Sequence, residues 1–284
     1  MMIRKSIGLL VALAYSFAAP AHAESGWGLL NMREGVTEIS RRIYSVHMLI
    51  FWVCVVIAVI VFGFMIWSIV KFRKSKGAVA DTTLVHNTKV EIMWTIVPAL
   101  ILVAMAVPAA RTLVAIEDTR DTQLTIKVTG YQWGWHYDYL DNGVSFFSRL
   151  ERKANDARRL LSGVDPHTIP NYLLDVDNPL VVPAGVKVRL LLTASDVIHA
   201  WWVPDFGMKK DAIPGFINEM WFQVDADKTG LYRGQCTELC GRDHAFMPIV
   251  VDVKTPADFK SWLQASAAQQ KQAAVPVKRE QDHG

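Results

Sequence analysis

Residues 234–248 read GQCTELCGRDHAFMP, and this stretch places two cysteines, a histidine and a methionine in one short segment. Its glycines and its final proline are typical of irregular backbone rather than of a helix or strand. Such a loop can bring Cys236, Cys240, His244 and Met247 to one point. Because thiolate and thioether sulfurs are soft donors, this residue set favours copper or iron–sulfur chemistry.

A second imidazole stands upstream, at His199 in the stretch DVIHAWW, directly after a predicted strand. Blue-copper sites draw one imidazole from an upstream strand and take the cysteine, the second histidine and the methionine from one later loop. This chain has that layout with one cysteine more. Two thiolates can bridge two copper ions, and each ion then takes one imidazole and one weak axial ligand. We therefore expect a dicopper site.

Spacing alone leaves two other interpretations of Cys236 and Cys240 open. In an exported domain the two cysteines can form a disulfide bond, and a Cys2His2 zinc site also accepts the C-x3-C spacing. Zinc gives no reason for Met247, however, and C-x3-C-x3-H is shorter than the spacing of a zinc finger. The full residue set therefore favours copper. The third cysteine, Cys54, lies in an apolar run and is interpreted as a small apolar residue.

The chain around these residues, from about 123 to 253, has the pattern of a β domain. Residues 124–128 alternate apolar and polar side chains, as a half-buried strand does. Further strands are predicted at 180–185, 186–193, 219–224, 230–234 and 248–253. One strand face is predicted to carry five aromatic residues, which are Tyr131, Trp133, Trp135, Tyr137 and Tyr139. Many short strands with Gly and Pro between them indicate a sandwich or a small barrel.

Three further segments belong to the exported part. Residues 141–170 form a polar insertion with a short helix predicted at 149–161, and we interpret it as a surface excursion without chemistry of its own. Thr255 and the proline after it have the form of a helix N-cap and first turn, so a helix is predicted to follow. Residues 268–284 are rich in Gln, Ala and Lys and are predicted to be disordered. The folded domain is therefore predicted to span residues 117–267.

The N-terminus has the pattern of a cleaved signal peptide over residues 1–23. A short basic region precedes the apolar stretch 7–19, which is too short to span a membrane comfortably. The AHA tripeptide at 21–23 fits a signal-peptidase cleavage pattern. The mature chain is then predicted to begin at Glu24. The alternative is an uncleaved third anchor helix.

Two long apolar runs follow, within a predicted N-terminal segment and membrane anchor at residues 24–116. Residues 46–70 contain no Asp, Glu, Lys or Arg over 25 residues, and residues 92–110 contain none over 19. Since roughly 20 helical residues cross a bilayer core, we predict two spans at about 46–70 and 92–113. The alternative is a pair of buried core helices, but a soluble domain rarely contains two such runs.

The charges beside the spans predict which side of the membrane each end faces. Basic loops stay on the cytoplasmic side, and the loop between the two spans carries Lys71, Arg73, Lys74, Lys76 and Lys89. Together with the signal peptide, this loop predicts a two-pass protein of the bacterial inner membrane with its C-terminal domain in the periplasm. The net charge of +3 is too small to indicate a nucleic-acid partner.

The stretches 196–201, 234–241 and 244–248 resemble the CuA-binding motifs of cytochrome c oxidase subunit II, and the two-span anchor matches that family as well. The resemblance implies a two-helix transmembrane hairpin plus an all-β cupredoxin-like barrel or sandwich domain. It also implies the ligands of the dicopper CuA centre, which are His199, Cys236, Cys240, His244, Met247 and the backbone carbonyl of Glu238.

The resemblance implies a respiratory function as well. In this family the copper centre accepts electrons from cytochrome c and passes them to haem in subunit I, where oxygen is reduced to water. The implied partners are therefore cytochrome c, subunits I and III and the lipid bilayer, with haem only in the partner subunit. A quinol-oxidase subunit II lacks the copper ligands, a nitrous-oxide reductase lacks the two-span anchor, and a copper chaperone has a thioredoxin-like pattern that this sequence does not show.

The same resemblance gives roles to further residues. The Glu238 side chain matches a ligand of a magnesium or manganese ion shared with subunit I, and Trp133 matches the residue that receives electrons. Glu91 matches the glutamate near the mouth of the K proton pathway. The acidic positions of the cytochrome c dock are matched by Asp138, Asp177 and Asp196. The alternatives are a packed aromatic for Trp133, a helix-end acid for Glu91 and solvated turn acids for the dock.

Overall fold

The computed structural model describes residues 30–79, 82–83 and 85–274. The predicted signal peptide at 1–23 lies outside the described residues, as does the end of the predicted tail from residue 275 onward. The helices and strands described below all belong to one unit, which begins at Glu34.

Two long apolar helices confirm the predicted hairpin. Helix α1 spans Glu38–Lys71 and helix α2 spans Thr88–Ile116, and both are long and apolar enough to cross a membrane. Each helix begins at a capping side chain that accepts backbone N–H groups left free in the first turn: Thr37 accepts from Ser40, and Asn87 accepts from Lys89 and Val90. With the domain that follows them, the two helices fit a two-pass membrane protein.

The remainder of the described chain is built around two five-stranded sheets, with the strand orders β3-β2-β1-β5-β8 and β4-β10-β9-β6-β7. The strands are β1 (Leu124–Tyr131), β2 (Gly134–Tyr139), β3 (Val144–Ser148), β4 (Leu180–Pro183), β5 (Val188–Ala194), β6 (His199–Trp202), β7 (Lys209–Ala212), β8 (Asn218–Phe222), β9 (Gly230–Cys236) and β10 (Pro248–Lys254). Pairs β1–β5 and β4–β10 are parallel, and the other neighbours are antiparallel. The predicted all-β, cupredoxin-like fold class is confirmed.

Alternation of apolar and polar residues explains why these strands form a core between the two sheets. Successive side chains of a strand point to opposite faces, and β5 accordingly buries every second residue. Ile126 of β1, Leu190 of β5 and Val251 of β10 are all fully buried. Burying one such side chain contributes about 1.5–3 kcal/mol, so the core fixes the strands whose ends carry the candidate site.

The prediction of five aromatics on one strand face is wrong. Strand β1 ends at Tyr131 and β2 begins at Gly134, so Trp133 lies in the turn between two antiparallel strands. The turn is held from outside the hairpin, because the backbone N–H of Gln132 donates to the Asp196 carboxylate at 2.7 Å. This contact joins residues 64 positions apart, and periodicity does not show it. Only the last three aromatics share the buried face: Trp135, Tyr137 and Tyr139.

The predicted insertion at 141–170 also needs correction. Its first part contains strand β3, which pairs with β2, so the excursion from the sheet begins only after Ser148. Helix α3 spans Arg152–Ala157 and is shorter than the helix predicted at 149–161. Glu151 caps it by accepting the Ala154 N–H at 3.0 Å, which sets its first residue.

The C-terminal helix extends beyond the predicted boundary. Helix α4 spans Pro256–Ala274, so the disorder predicted from residue 268 is wrong for residues 268–274. This part of the helix is anchored to β3, because the Gln270 amide accepts the Ser145 N–H at 3.2 Å and donates to the Ser145 carbonyl at 2.6 Å. Trp262 packs nearer the start of the helix, with its ring 5.4 Å from that of Tyr139.

Candidate metal centre

The candidate site forms at one end of the second sheet, where β6 and β9 meet. His199 is the first residue of β6, and Cys236 is the last residue of β9. The two strands are antiparallel, and Cys236 pairs directly with Trp201. The chain then leaves the sheet and returns at Pro248, where β10 starts alongside β9. Strand pairing therefore closes a loop over His199, and this loop carries the remaining donor groups.

The six donor groups implied by the resemblance converge. The Cys236 Sγ lies 3.9 Å from the Cys240 Sγ, 4.0 Å from the His199 Nδ1 and 3.3 Å from the Glu238 carbonyl oxygen. The Cys240 Sγ lies 3.4 Å from the His244 Nδ1 and 3.5 Å from the Met247 Sδ. Each cysteine thus has its own imidazole and its own weak donor. This arrangement suits two metal ions bridged by two thiolates.

The chemistry of these donors fits copper. Both cysteines are free thiols, so in this structure they do not form the disulfide that spacing alone allows. His199, Cys236, Cys240 and Met247 are each at most 4% exposed. A buried thioether beside two thiols is a soft donor set, which copper prefers. A four-ligand zinc site has no use for Met247 or for the Glu238 carbonyl.

Asp196 fixes the orientation of the His199 ring. The His199 Nε2 donates to the Asp196 Oδ1 at 2.9 Å, which turns the Nδ1 toward Cys236. Burial of Asp196 opposes its ionisation, but hydrogen bonds from His199, Val197 N and Gln132 N hold the pKa of its carboxyl below the usual value. Such carboxylate partners orient histidine ligands and make them more basic. The sequence predicts Asp196 only as a docking acid and misses this contact.

Gly130 is a second residue that the sequence does not single out. It lies in β1 directly against the His199 ring: an added Cβ there would come within 2.9 Å of the His199 Cδ2 and 3.0 Å of the Cγ. Real carbon atoms do not approach that closely without movement of one of them. The absence of a side chain at Gly130 therefore makes room for the buried imidazole, and only the tertiary structure shows it.

The two thiols differ in acidity. Burial opposes ionisation of Cys236, but hydrogen bonds with the His199 ring and the backbone of Ala200 hold the pKa of this thiol below its usual value. Burial and the neighbouring Cys236 raise the pKa of Cys240 to about 12. The metal-free pair therefore favours one thiolate over two. Binding of a metal by both sulfurs must displace the remaining proton.

Trp133 is hydrogen-bonded to the backbone of Cys240, one of the metal-ligand candidates. Its indole Nε1 donates to the backbone carbonyl of Cys240 at 3.2 Å, and the Gln132 amide donates to the same oxygen at 2.8 Å. The ring is partly exposed, and the Arg242 guanidinium lies 5.5 Å from its centre. Gly241 continues the chain with φ +116°, where an added Cβ would meet the Trp133 ring at 3.2 Å. The Gln132–Trp133 turn therefore packs closely against the loop between β9 and β10 that carries the donor groups.

The two predicted glutamates occupy different ends of the molecule. The Glu238 side chain is exposed, while its backbone carbonyl faces Cys236. Glu91 lies in the first turn of α2, at the end of that helix remote from the β domain, and it accepts the Asn87 N–H at 3.2 Å. Through this contact Glu91 helps to cap the start of α2, as the alternative interpretation of a helix-end acid expects.

The three predicted docking acids have different surroundings. Asp196 lies beside the Trp133 turn but is bonded to His199 and Gln132. Asp177 accepts the Arg149 N–H at 2.8 Å and caps its own turn through Asn178. Asp138 lies on β2, with one carboxylate oxygen 3.2 Å from the His136 Nδ1. Of the three, Asp196 alone touches both the turn and a metal-ligand candidate.

Comparison with known families agrees with this architecture along the chain. The family model described as cytochrome C oxidase subunit II, transmembrane domain, matches residues 25–111. The model described as cytochrome C oxidase subunit II, periplasmic domain, matches residues 124–254. The first range covers both long helices except the end of α2, and the second covers every strand.

Individual relatives match over most of their length. A probable cytochrome c oxidase subunit 2 of Rickettsia bellii is 38% identical over 262 residues, covering 90% of each chain. Cytochrome c oxidase subunit 2 of Arabidopsis thaliana is 36% identical over 246 residues, covering 86% of this chain and 92% of the relative. The crystal structure of the periplasmic domain of cytochrome oxidase subunit II of Bradyrhizobium japonicum is 43% identical over 53% of this chain and 98% of that one, with a TM-score of 0.46. The chain therefore belongs to the cytochrome c oxidase subunit II family, whose members work as subunits of a haem–copper oxidase complex that carries out the catalysis.

Proposed function

We propose that the chain is the electron-transfer subunit of a terminal oxidase. Its dicopper CuA centre accepts electrons from cytochrome c and passes them to haem in subunit I, where oxygen is reduced to water. The observation that carries this proposal is the convergence of six donor groups from His199, Cys236, Glu238, Cys240, His244 and Met247. A quinol-oxidase subunit lacks this set.

The protein contributes rigidity to the centre. A bound copper pair would supply one-electron redox chemistry, and the contacts of the chain would keep the donors in one arrangement during electron transfer. His199 is held by a hydrogen bond to Asp196 and by close packing against the β1 backbone at Gly130. Cys236 ends a paired strand, and Met247 is buried directly before another. Donors that move little on electron uptake keep the reorganisation energy low and the transfer fast.

We propose that electrons enter through Trp133. The partly exposed indole is connected to the Cys240 carbonyl by one hydrogen bond, and the Cys240 Sγ lies among the donor groups. A donor haem placed against the ring thus has a short route through the indole N–H and the backbone of a ligand residue. The alternative of an ordinary packed aromatic does not explain why this N–H is directed at the metal loop.

The donor dock is proposed to include Asp138, Asp177 and Asp196, since cytochrome c presents a lysine-rich face. Complementary charge of this kind mainly raises the encounter rate and weakens with salt. Asp196 then has two roles, because it also orients His199. A substitution at Asp196 therefore perturbs the centre as well as the dock.

The remaining assignments concern the assembly. We propose that the exposed Glu238 side chain ligates a magnesium or manganese ion at the subunit I interface, and that Glu91 lies near the mouth of the K proton pathway. Subunits I and III surround the hairpin in a bacterial inner membrane, with the domain from residue 117 in the periplasm and the basic loop after α1 in the cytoplasm. Residues 1–23 act as the signal peptide.

Stopped-flow spectroscopy of the purified oxidase complex tests this function. Reduced cytochrome c should first reduce the copper centre, and haem reduction should follow as copper is reoxidised. The matched control is the complex with Cys236→Ser, which removes one bridging thiolate. If haem were reduced at the wild-type rate in that variant, electrons would bypass this subunit and the proposal would be wrong.

A further inference from the structure

The insertion after β3 contacts the metal-binding loop, residues 237–247 between β9 and β10, through the side chain of an arginine. Arg158, directly after α3, donates through its Nη2 to the Asp243 Oδ2 at 3.1 Å and through its Nη1 to the Oδ1 at 3.4 Å. The two side chains are only 24% and 14% exposed. A partly buried, two-pronged contact of this kind fixes geometry as well as charge.

Arg158 also contacts the loop on the other side of the His244 ligand. Its guanidinium lies 4.2 Å from the centre of the Phe246 ring, and its Nε donates to the Asn155 Oδ1 at 2.8 Å. Asp243 precedes His244, and Phe246 ends the short 3-10 turn that His244 begins. One side chain therefore contacts the loop on both sides of His244, a donor group that no strand pairing supports.

The insertion is itself fastened to the sandwich. The Glu151 N–H donates to the Asp175 carbonyl at 2.9 Å, and the Asp175 carboxylate pairs with Arg233 of β9 at 2.7 Å. Ala154 and Ala157 of α3 are buried. Arg158 thus extends from an anchored support, and it restrains the loop instead of moving with it.

We propose that residues 149–162 form a brace for the metal-binding loop, with Arg158 as the positioning residue that holds His244 in place for the metal. Donors on a loop must be ordered before they bind, and ordering each residue costs conformational entropy. A brace that orders the loop in the metal-free chain has removed that cost in advance. This gives a role to a segment whose sequence suggests none.

The neighbouring Arg159 provides a matched control. Its side chain is 70% exposed, and its ion-pair partner is Asp156 in the same insertion, at 3.7 Å. Arg158→Ala and Arg159→Ala remove the same atoms and the same charge one residue apart. We expect only Arg158→Ala to loosen the loop.

The test uses the full chain purified in detergent. In the metal-free chain, Arg158→Ala should speed amide hydrogen exchange at residues 241–247 while leaving β1 and β5 unchanged. After copper loading, the same variant should lose copper to a chelator at about tenfold lower chelator concentration, the size typical of lost ligand support. The electron paramagnetic resonance hyperfine pattern should change as His244 shifts.

Two further variants test the same contact independently. Asp243→Asn keeps the shape of its side chain and should reproduce the faster loop exchange even if Arg158→Ala folds poorly. Arg158→Lys keeps the charge but loses the two-pronged contact and the planar stacking, so it should restore only part of the copper retention. The exchange measurement needs no copper and therefore stands apart from the proposed function. Equal loop exchange and copper retention in the Arg158→Ala and Arg159→Ala chains would show that Arg158 does not brace the loop.

Discussion

Replacing Gly130 with alanine tests how tightly β1 packs against the His199 ring. The new Cβ would stand 2.9 Å from the His199 Cδ2, 3.0 Å from the Cγ and 3.1 Å from the Cβ. Two non-bonded carbon atoms ordinarily lie at least about 3.5 Å apart. The ring must therefore move away by roughly 0.5 Å. Asp196 holds the adjacent ring nitrogen, Nε2, at 2.9 Å, and a metal–ligand distance tolerates only about 0.2 Å. The imidazole therefore cannot keep both contacts.

Gly130→Ala should consequently lower copper retention and change the mixed-valence spectrum. Overpacking of this kind also costs about 1–3 kcal/mol of stability, which thermal unfolding of the metal-free chain can measure. Gly63→Ala is the matched control, because its Cβ would meet nothing within 4 Å. A Gly130→Ala chain with the wild-type spectrum and copper content would show that this glycine is not needed to make room for the ligand.

Further predictions concern the reduction potential of the copper centre, electron entry, cytochrome c docking and the pH dependence of copper binding. Met247→Leu should retain copper but shift its reduction potential, since a weak axial donor tunes a copper site more than it holds it; an unchanged potential would make Met247 a core residue only. Trp133→Phe removes the N–H bonded to the Cys240 carbonyl, so stopped-flow copper reduction should slow while cytochrome c binding stays near wild type, and an unchanged rate would place the electron route elsewhere. The double variant Asp138→Asn/Asp177→Asn, which spares Asp196, should slow cytochrome c oxidation at low salt and flatten its salt dependence; an unchanged slope would exclude both acids from the dock. Burial and the neighbouring Cys236 raise the pKa of the metal-free Cys240 thiol, so copper binding should release at least this proton and strengthen by at least about tenfold per pH unit near neutrality; a pH-independent affinity in calorimetry would contradict this.

Four of the proposed donors could be predicted from sequence because they lie in one short stretch, whereas the Glu238 carbonyl is named only through the family resemblance. Cys236, Glu238, Cys240, His244 and Met247 need only one loop closure, and strand pairing at Pro248 provides it. His199 was also predictable, since it directly follows a strand. Local spacing therefore carries most of the information about the site.

The supporting contacts could not be predicted, because each joins distant parts of the chain. Asp196 accepts a hydrogen bond from the Gln132 backbone in the β1–β2 turn, 64 positions earlier. Gln270 of α4 donates a hydrogen bond to the Ser145 carbonyl, 125 positions earlier. Gly130 matters only because His199 folds against it. Periodicity describes which face of a strand is buried but not which side chain lies opposite.

Metal content and electron paramagnetic resonance of the full, copper-loaded chain test the central claim most directly. We expect two copper ions per chain and a mixed-valence signal in which one unpaired electron is shared by both ions, because two thiolates lie between two imidazoles. A chain that bound one zinc ion, or one copper ion with a single-copper hyperfine pattern, would contradict it.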